Sequence, residues 1–248
     1  MENKISEFKN FYNLTQQRYG EFFKNILEKM YKEKGINPFV FNENLEDIDL
    51  NKVKFILVGD NPGYEEQKVG QYLIGSAGQS ARDFFKNASL INNFKDEVLV
   101  LNKTFLFTKR TKELDDIYYN SELKEEHREC MREIEKFMAQ LVFDIHTDYP
   151  RVQPIIIGFA GCKSGDSWLR TTKDESNYLK NNTLPYFFEE LIKLYNTNRL
   201  KKPLILKHFS FDHFSDQYND LKNDEQTVLE NLSRISEINS KGLFGESV

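Results

Sequence analysis

Four short runs of apolar residues, separated by longer segments of helical periodicity, constrain the fold of this chain more than any other feature. The runs are VKFILV (53–58), EVLVLN (97–102), PIIIGFA (154–160) and PLILKHF (203–209). Each run is nearly continuous rather than alternating, which is typical of strands covered on both faces. Helical connections between strands favour parallel pairing. The sequence therefore predicts an α/β fold, a three-layer α/β/α sandwich around a four-stranded parallel sheet.

The segments around these runs predict helices. A long amphipathic helix is indicated by apolar residues at spacings of three and four, namely Met131, Ile134, Met138, Leu141 and Ile145. Asn120 or Ser121 is positioned to cap this helix, and Thr183 to cap a second one with Pro185 in its first turn. Further helices are expected over residues 5–35, as one helix or two, and 80–91.

The chain shows no internal repeat and no linker rich in Pro or Ser. We therefore expect one domain over 1–248, with an N-terminal helical extension over 1–40 and a flexible tail over 239–248. Neither a signal peptide nor an apolar run of the ~20 residues of a membrane span is present. Cys130 and Cys162 provide no disulfide framework. These features predict a cytoplasmic protein without a membrane partner.

The charge balance limits the kind of partner that the chain can bind. The formal net charge is −5, and the sequence pI is ≈ 5.6. An acidic chain of this kind is not expected to carry the broad basic surface that coats nucleic acid. A smaller DNA-facing edge remains compatible with it, because backbone N–H groups and helix N-termini also bind phosphate.

Polar residues follow the predicted strands. Asp60 and Asn61 follow the first strand, Asn102 ends the second, and His208 ends the fourth, with Ser210 just beyond. Each alone is compatible with an ordinary turn, cap or partly buried histidine. The carboxyl ends of parallel strands meet at one edge of the sheet, where open α/β sheets bind ligands. Together, these side chains predict a ligand site.

The segment from residue 54 to residue 78 is rich in glycine. It holds five of the 12 glycines in the chain, more than a single hairpin turn needs. Glycine carries no Cβ, so a glycine-rich loop can bring its backbone N–H groups close to a ligand. We therefore expect this loop to form part of the site.

Four motifs, in order along residues 53–215, resemble those of the uracil-DNA glycosylase superfamily. LVGDNPGYEEQKVGQYLIGSAG is similar to its water-activating motif with a glycine-rich continuation, and VLVLNKTFLFTKR to its uracil-reading strand. PIIIGFAGCKSG is similar to the third strand and turn, and LILKHFSFDHFS to the motif that carries a catalytic histidine. The motif style is nearest to the iron–sulfur and the mismatch- and single-strand-selective branches.

The resemblance implies a DNA repair enzyme. Its reaction is hydrolysis of the N-glycosidic bond of uracil, or of another deaminated base, after the base has been flipped out of single- or double-stranded DNA. The partner is then DNA, and the protein a monomer. No cofactor is expected, because two cysteines far apart cannot hold the cluster of the iron–sulfur branch.

The resemblance also assigns catalytic roles. Asn61 stands at the position before the proline that carries the water-holding residue in other branches of the family. Asp60 stands one position earlier, where the iron–sulfur branch has an acidic residue. The resemblance therefore implies that either residue can position the attacking water. Asn102 is expected to hydrogen-bond the edge of the base, since an amide offers both donor and acceptor. His208 is expected to donate to the oxygen of the leaving base. His213 is the alternative histidine.

The resemblance also assigns residues that contact the base and the DNA, and it leaves two interpretations open for some of them. The family's stacking aromatic aligns with Leu73, and Tyr72 beside it is either a substitute or an ordinary packing residue. Gly63 replaces the tyrosine that screens out thymine in the main uracil branch, which implies a wider substrate range. The residues expected to contact DNA are Gly75, Ser76, Gly78, Ser210 and two alternative wedge residues, Phe211 and Phe214.

Two other functions remain open from the sequence. One is a catalytically silent domain that binds nucleic acid or a protein through the same edge. The other is a hydrolase acting on a free nucleoside or another small phosphorylated metabolite, for which an acidic surface is no handicap. The positions of the basic segments TKRTK (108–112) and LKKP (200–203) distinguish a DNA substrate from a small metabolite. Basic side chains beside the site favour DNA, and basic side chains on the opposite side favour the small molecule.

Overall fold

A parallel sheet of four strands forms the centre of the computed structural model, which describes residues 4–158, 184–209 and 213–240. The strands are β1 (Phe55–Gly59), β2 (Val98–Asn102), β3 (Gln153–Ile157) and β4 (Leu204–Leu206). Their order across the sheet is β2-β1-β3-β4, and every residue in them is buried. The predicted α/β fold is confirmed, although each strand is shorter than the apolar run that predicted it.

Helices cover both faces of the sheet. They are α1 (Lys4–Tyr31), α2 (Tyr64–Val69), α3 (Ser76–Asn87), α4 (Phe94–Glu97), α5 (Glu113–Tyr118), α6 (Glu125–Asp148), α7 (Pro185–Thr197), α8 (His213–Leu221) and α9 (Val228–Asn239). Helix α6 packs on α7, α1 and β3, and α9 packs on β4. The phenyl rings of α3 contact the sheet residue Phe55 and α8. This layering buries the strands completely.

The long predicted helix is α6, and all five apolar residues that indicated it are buried. Its start was predicted wrongly, because it begins at Glu125 with Lys124 as N-cap. Asn120 instead accepts a hydrogen bond from the Glu122 N–H at 2.8 Å, which stabilises a separate turn. Helix α7 has Pro185 at its first position as expected, but its N-cap is Leu184. Thr183 lies outside the described residues.

The N-terminal segment forms one continuous helix, α1. Phe8 and Phe23 on this helix have no exposed surface and belong to the main hydrophobic core. Phe8 packs against Phe105 with tilted rings, whose centroids lie 6.0 Å apart. The extension is therefore part of the core that supports the sheet. Within the described residues, no helix combines the length and apolar character needed to cross a membrane.

Candidate active site

A cavity of ≈ 370 Å³ opens at the carboxyl edge of the sheet. Asp60, Asn61, Asn102 and His208 all line it. They come from three strand ends, and the two most distant are 148 residues apart in the sequence. The structure thus brings together the carboxylate, the two carboxamides and the imidazole that the sequence predicted at this edge.

The pairing of β1 with β2 sets the position of Asn102. Gly59 is the register partner of Asn102, so Asp60 and Asn61 begin beside it. A Cβ atom on Gly59 would lie 2.5 Å from Asn102 Oδ1. The absence of a side chain at Gly59 therefore leaves room for the amide of Asn102.

Asn102 places a buried side-chain amide at the cavity. The residue is 3% exposed, and within the described part of the chain no atom accepts a hydrogen bond from its Nδ2. A buried donor left unpaired costs about 1–3 kcal/mol of stability. Such groups are rare in folded proteins, and they often occur where a ligand completes the hydrogen bond.

Asn61 is held by the loop that follows β2. Its Nδ2 donates to Thr108 Oγ1 at 2.9 Å, to the Thr108 carbonyl at 3.2 Å and to the Pro62 carbonyl at 2.9 Å. These bonds use the donors of the amide and fix its orientation. The carbonyl oxygen Oδ1 then remains as an acceptor, which is the group needed to hold a water molecule.

Asp60 forms an ion pair with Lys103, a residue that sequence reasoning missed. The Lys103 side chain has no exposed surface, and its Nζ also donates to the carbonyls of Ile157 at 2.8 Å and Gly158 at 2.9 Å. A Cβ atom on Gly158 would lie 2.8 Å from both carboxylate oxygens of Asp60. The carboxylate is therefore confined between an ammonium group and the backbone. The signal in the sequence was a lysine between two apolar runs.

His208 lies on the same cavity, two residues beyond β4. Burial lowers the pKa of its imidazole below the ordinary value; Asp60 opposes this effect, and Lys103 and His213 add to it. The imidazole is therefore neutral at neutral pH and keeps one N–H donor. His213 begins α8 and is exposed, so the structure favours His208 over the alternative.

The glycine-rich loop is organised by Glu66. Its two carboxylate oxygens accept the backbone N–H groups of Gly63 at 2.7 Å and Leu73 at 2.6 Å. Burial raises the pKa of Glu66, although these hydrogen bonds oppose the effect. Both tethered residues line the cavity, and Leu73 has a φ of 52°. The wall of the cavity is thus held in place by a side chain of α2.

Gly75, Ser76 and Gly78 also line the cavity, where α3 begins. A Cβ atom on Gly78 would overlap the carbonyl of Leu73, so this glycine is required by a close backbone approach within the protein. A Cβ on Gly75 would meet nothing within 4 Å. The N-terminus of α3 therefore faces the cavity with free space in front of it, as expected for a phosphate-binding position.

Two predicted contacts are corrected by the structure. Tyr72 is 2% exposed, donates its hydroxyl to the Val40 carbonyl and does not line this cavity. It is an ordinary packing residue, the second of the two interpretations. Phe214 is 1% exposed and packs against Phe84 and Phe209, so it is a core residue and no wedge. Ser210 and Phe211 lie outside the described residues.

The aromatic side chain on the cavity is that of Tyr64. Its hydroxyl donates to Glu33 Oε1 at 3.0 Å, and the same carboxylate binds Lys109 Nζ at 2.9 Å. Lys109 Nζ lies 4.8 Å from the centre of the Tyr64 ring. Tyr64 was not predicted, because the resemblance places the tyrosine directly after Pro62, and that position holds Gly63 here.

The two basic segments lie at opposite edges of the sheet. Thr108, Lys109, Arg110 and Thr111 line the cavity. Arg110 is partly neutralised by Glu113, since its Nε lies 2.6 Å from Oε1, yet its side chain stays 68% exposed. The segment 200–203 precedes β4 and so lies at the amino edge. Only the first segment meets the expectation for a DNA-facing edge.

Comparison with known proteins adds no assignment. No protein-family model matches the chain, and a search of the curated proteins finds no match.

Proposed function

We propose that this protein is a DNA glycosylase that hydrolyses the N-glycosidic bond of uracil or another deaminated base flipped from DNA. The observation that carries the proposal is the buried, unpartnered amide donor of Asn102 in the same cavity as Asp60, Asn61 and His208. Recognition of the base requires a side chain that hydrogen-bonds its polar edge. Cleavage requires an anion to stabilise the sugar cation, an acceptor to hold the attacking water, and a hydrogen-bond donor to the departing base.

In the proposed reaction, the bond between the sugar C1′ and the base nitrogen breaks, and the base leaves with the electron pair. Positive charge then develops on the sugar and negative charge on the base. Asp60 stabilises the sugar cation, and a water molecule held by Asn61 Oδ1 adds to C1′. The proton released from water balances the charge on the base, so the products are an abasic sugar and a neutral base.

Lys103 and His208 take the two remaining roles in the proposed reaction. Lys103 holds one oxygen of the Asp60 carboxylate by direct contact, which leaves the other oxygen for the substrate. The neutral His208 imidazole donates an N–H to the carbonyl oxygen of the departing base, where negative charge accumulates. Lys103 acts through Asp60 and is a positioning residue.

The size of the cavity favours a broad range of bases. A volume of ≈ 370 Å³ is large enough for a purine as well as a pyrimidine, and Gly63 adds no side chain to the wall. Tyr64 supplies an aromatic surface, and Leu73 an apolar one. We therefore extend the proposal to deaminated purines, hypoxanthine and xanthine, with Asn102 reading the polar edge of the base.

A nucleoside hydrolase is the second candidate. The observation that favours it is the pairing of Lys109 with Glu33 and of Arg110 with Glu113, which reduces the positive charge beside the cavity. Such an enzyme would act on a free nucleoside in the same cavity by the same bond cleavage.

The test is an excision assay on labelled oligonucleotides, single- and double-stranded, that contain uracil, hypoxanthine or xanthine. Alkali treatment converts each abasic site into a strand break. We expect breaks at the altered base with the wild-type protein and none with Asp60→Asn combined with Asn61→Ala. Asp148→Asn, an exposed carboxylate at the opposite edge of the sheet, is the matched control and should retain activity.

Free nucleosides are assayed in parallel by release of the base. Release from nucleosides but from no oligonucleotide would replace the glycosylase with the second candidate. Absence of cleavage on both substrate sets, with intact binding of single-stranded DNA, would instead establish a silent binding domain.

A further inference from the structure

A second cavity, of ≈ 220 Å³, lies between α3, α4, the start of β2 and the segment before β1. Its lining includes Asn42, Tyr72, Arg82, Phe94 and Lys95. The lining includes two cationic side chains and no carboxylate, although the chain has 39 acidic and 34 basic residues. The charge of this cavity is thus opposite to that of the whole protein.

The two cations of this cavity form no ion pair with the described residues. Neither Arg82 nor Lys95 has a described carboxylate within 4.0 Å. The Arg82 guanidinium lies 5.2 Å from the centre of the Phe94 ring, which orients it beside an aromatic surface. A guanidinium held in this way is suited to bidentate binding of phosphate or carboxylate.

Asn42 supplies the polar group inside this cavity. The residue is 2% exposed, and its Nδ2 donates to the Val100 carbonyl at 3.0 Å. That bond fixes the amide, and the buried Oδ1 accepts no hydrogen bond from the described residues. A buried acceptor without a hydrogen bond lowers the stability of the protein, and an N–H group on a ligand can supply the missing donor.

We infer that this second cavity binds a nucleotide unit, independently of the reaction in the first cavity. The phosphate pairs with Arg82 and Lys95, the base lies against Phe94 and the aliphatic side chains of the wall, and a base N–H donates to Asn42 Oδ1. Such a unit comes either as a free mononucleotide or as one nucleotide of a longer strand. Tyr72 lines this cavity and Leu73 the first, so the two sites are close neighbours.

The test is a titration of the ¹⁵N-labelled full-length protein, followed by amide and side-chain NMR signals. The probes are dAMP and dUMP, inorganic phosphate alone, and a single-stranded trinucleotide. We expect the mononucleotides to shift the signals of the Asn42 side-chain NH₂ group and of the backbone around Phe94, and phosphate alone to bind more weakly. Tighter binding of the trinucleotide assigns the site to a strand, and equal binding assigns it to free nucleotide.

Arg82→Gln should weaken mononucleotide binding at least about tenfold, the loss expected for one charge-assisted contact. Arg199→Gln, an exposed arginine that lines neither cavity, is the matched control and should leave mononucleotide binding and the Asn42 shifts unchanged. The Asn42 signals also verify that Arg82→Gln is folded. Absence of shifts around Asn42 in the wild-type protein, or equal affinity in Arg82→Gln, would overturn the inference. Neither outcome bears on the excision assay.

Discussion

Lys103 carries a positive charge into the interior of the protein. It has no exposed side-chain surface, and its ammonium group contacts Asp60 and two backbone carbonyls. Removing one partner of a buried ion pair is costly because the other charge is left without compensation. Replacing both partners with neutral groups of similar shape costs much less.

This difference predicts the outcome of a double-mutant cycle. Lys103→Met and Asp60→Asn should each lower the free energy of unfolding by about 3 kcal/mol, as for other broken buried pairs. The double variant should lose less than the sum of the two, because neither charge remains buried alone. Urea unfolding measures all four proteins, and additive losses would contradict the pairing.

Asn102 has a buried amide donor that finds no acceptor among the described residues. Asn102→Leu, of similar volume, removes the unpartnered donor and should raise the free energy of unfolding by about 1 kcal/mol. It should also abolish base excision, because the base loses its reader. Urea unfolding and the oligonucleotide assay test the two effects separately. A loss of stability would mean that Asn102 forms a structural hydrogen bond within the protein.

The packing of α6 on α7 contains a buried carboxylate. Glu135 on α6 is 5% exposed, and its Oε2 accepts the backbone N–H groups of Tyr186 at 2.9 Å and Phe187 at 3.2 Å. It thereby satisfies two N–H groups in the first turn of α7 that have no carbonyl partner within the helix and that the N-cap residue Leu184 does not cap. Burial raises the pKa of Glu135 from 4.5 to about 8.

The raised pKa of Glu135 makes the stability of the protein depend on pH. The folded state binds this proton more tightly than the unfolded state, so the stabilisation is complete below pH 4.5 and is lost as the pH rises to about 8. Glu135→Gln keeps an acceptor for α7 and does not titrate. Relative to this variant, the wild-type protein should lose up to about 1.4 kcal/mol per pH unit in that range.

Unfolding in urea at several pH values measures this difference. Glu135→Ala is the control, because it removes the acceptor at every pH and should be destabilised throughout. A constant difference between wild type and Glu135→Gln would show that Glu135 is ionised in the folded state across the range.

At the scale of the whole molecule, the two edges of the sheet differ in what they carry. The proposed site lies at the carboxyl edge with Lys109 and Arg110, and a second basic pair, Lys201 and Lys202, precedes β4 at the amino edge. The net charge of −5 limits attraction of DNA to the rest of the surface. Location, and not the number of charges, should therefore decide the affinity for DNA.

Neutralising each pair tests this expectation. Lys109→Gln with Arg110→Gln should weaken binding of a single-stranded oligonucleotide and reduce the dependence of log K on log salt by about 0.7 per lost phosphate contact. Lys201→Gln with Lys202→Gln changes the net charge equally and should leave both quantities unchanged. Fluorescence anisotropy at several salt concentrations measures them. Equal effects of the two pairs would indicate non-specific attraction alone.

The sequence was sufficient to predict the sheet and the four polar side chains at its edge. Continuous apolar runs form buried strands wherever helices can cover both faces, and a side chain at the end of a parallel strand lies at the carboxyl edge whatever the details of packing. The positions of the polar residues relative to the strands therefore suffice to predict that they line one cavity, namely Asp60, Asn61, Asn102 and His208.

Only the tertiary structure decided which neighbouring side chains complete the site. Tyr72 and Leu73 are adjacent in sequence, but the positive φ of Leu73 accompanies a turn in the chain, and the two line different cavities. Lys103 and Asp60 meet because β1 pairs with β2 in one register, which brings residues 43 positions apart into contact. A lysine between two apolar runs indicates burial, but its partner depends on three-dimensional packing, which the local sequence does not specify.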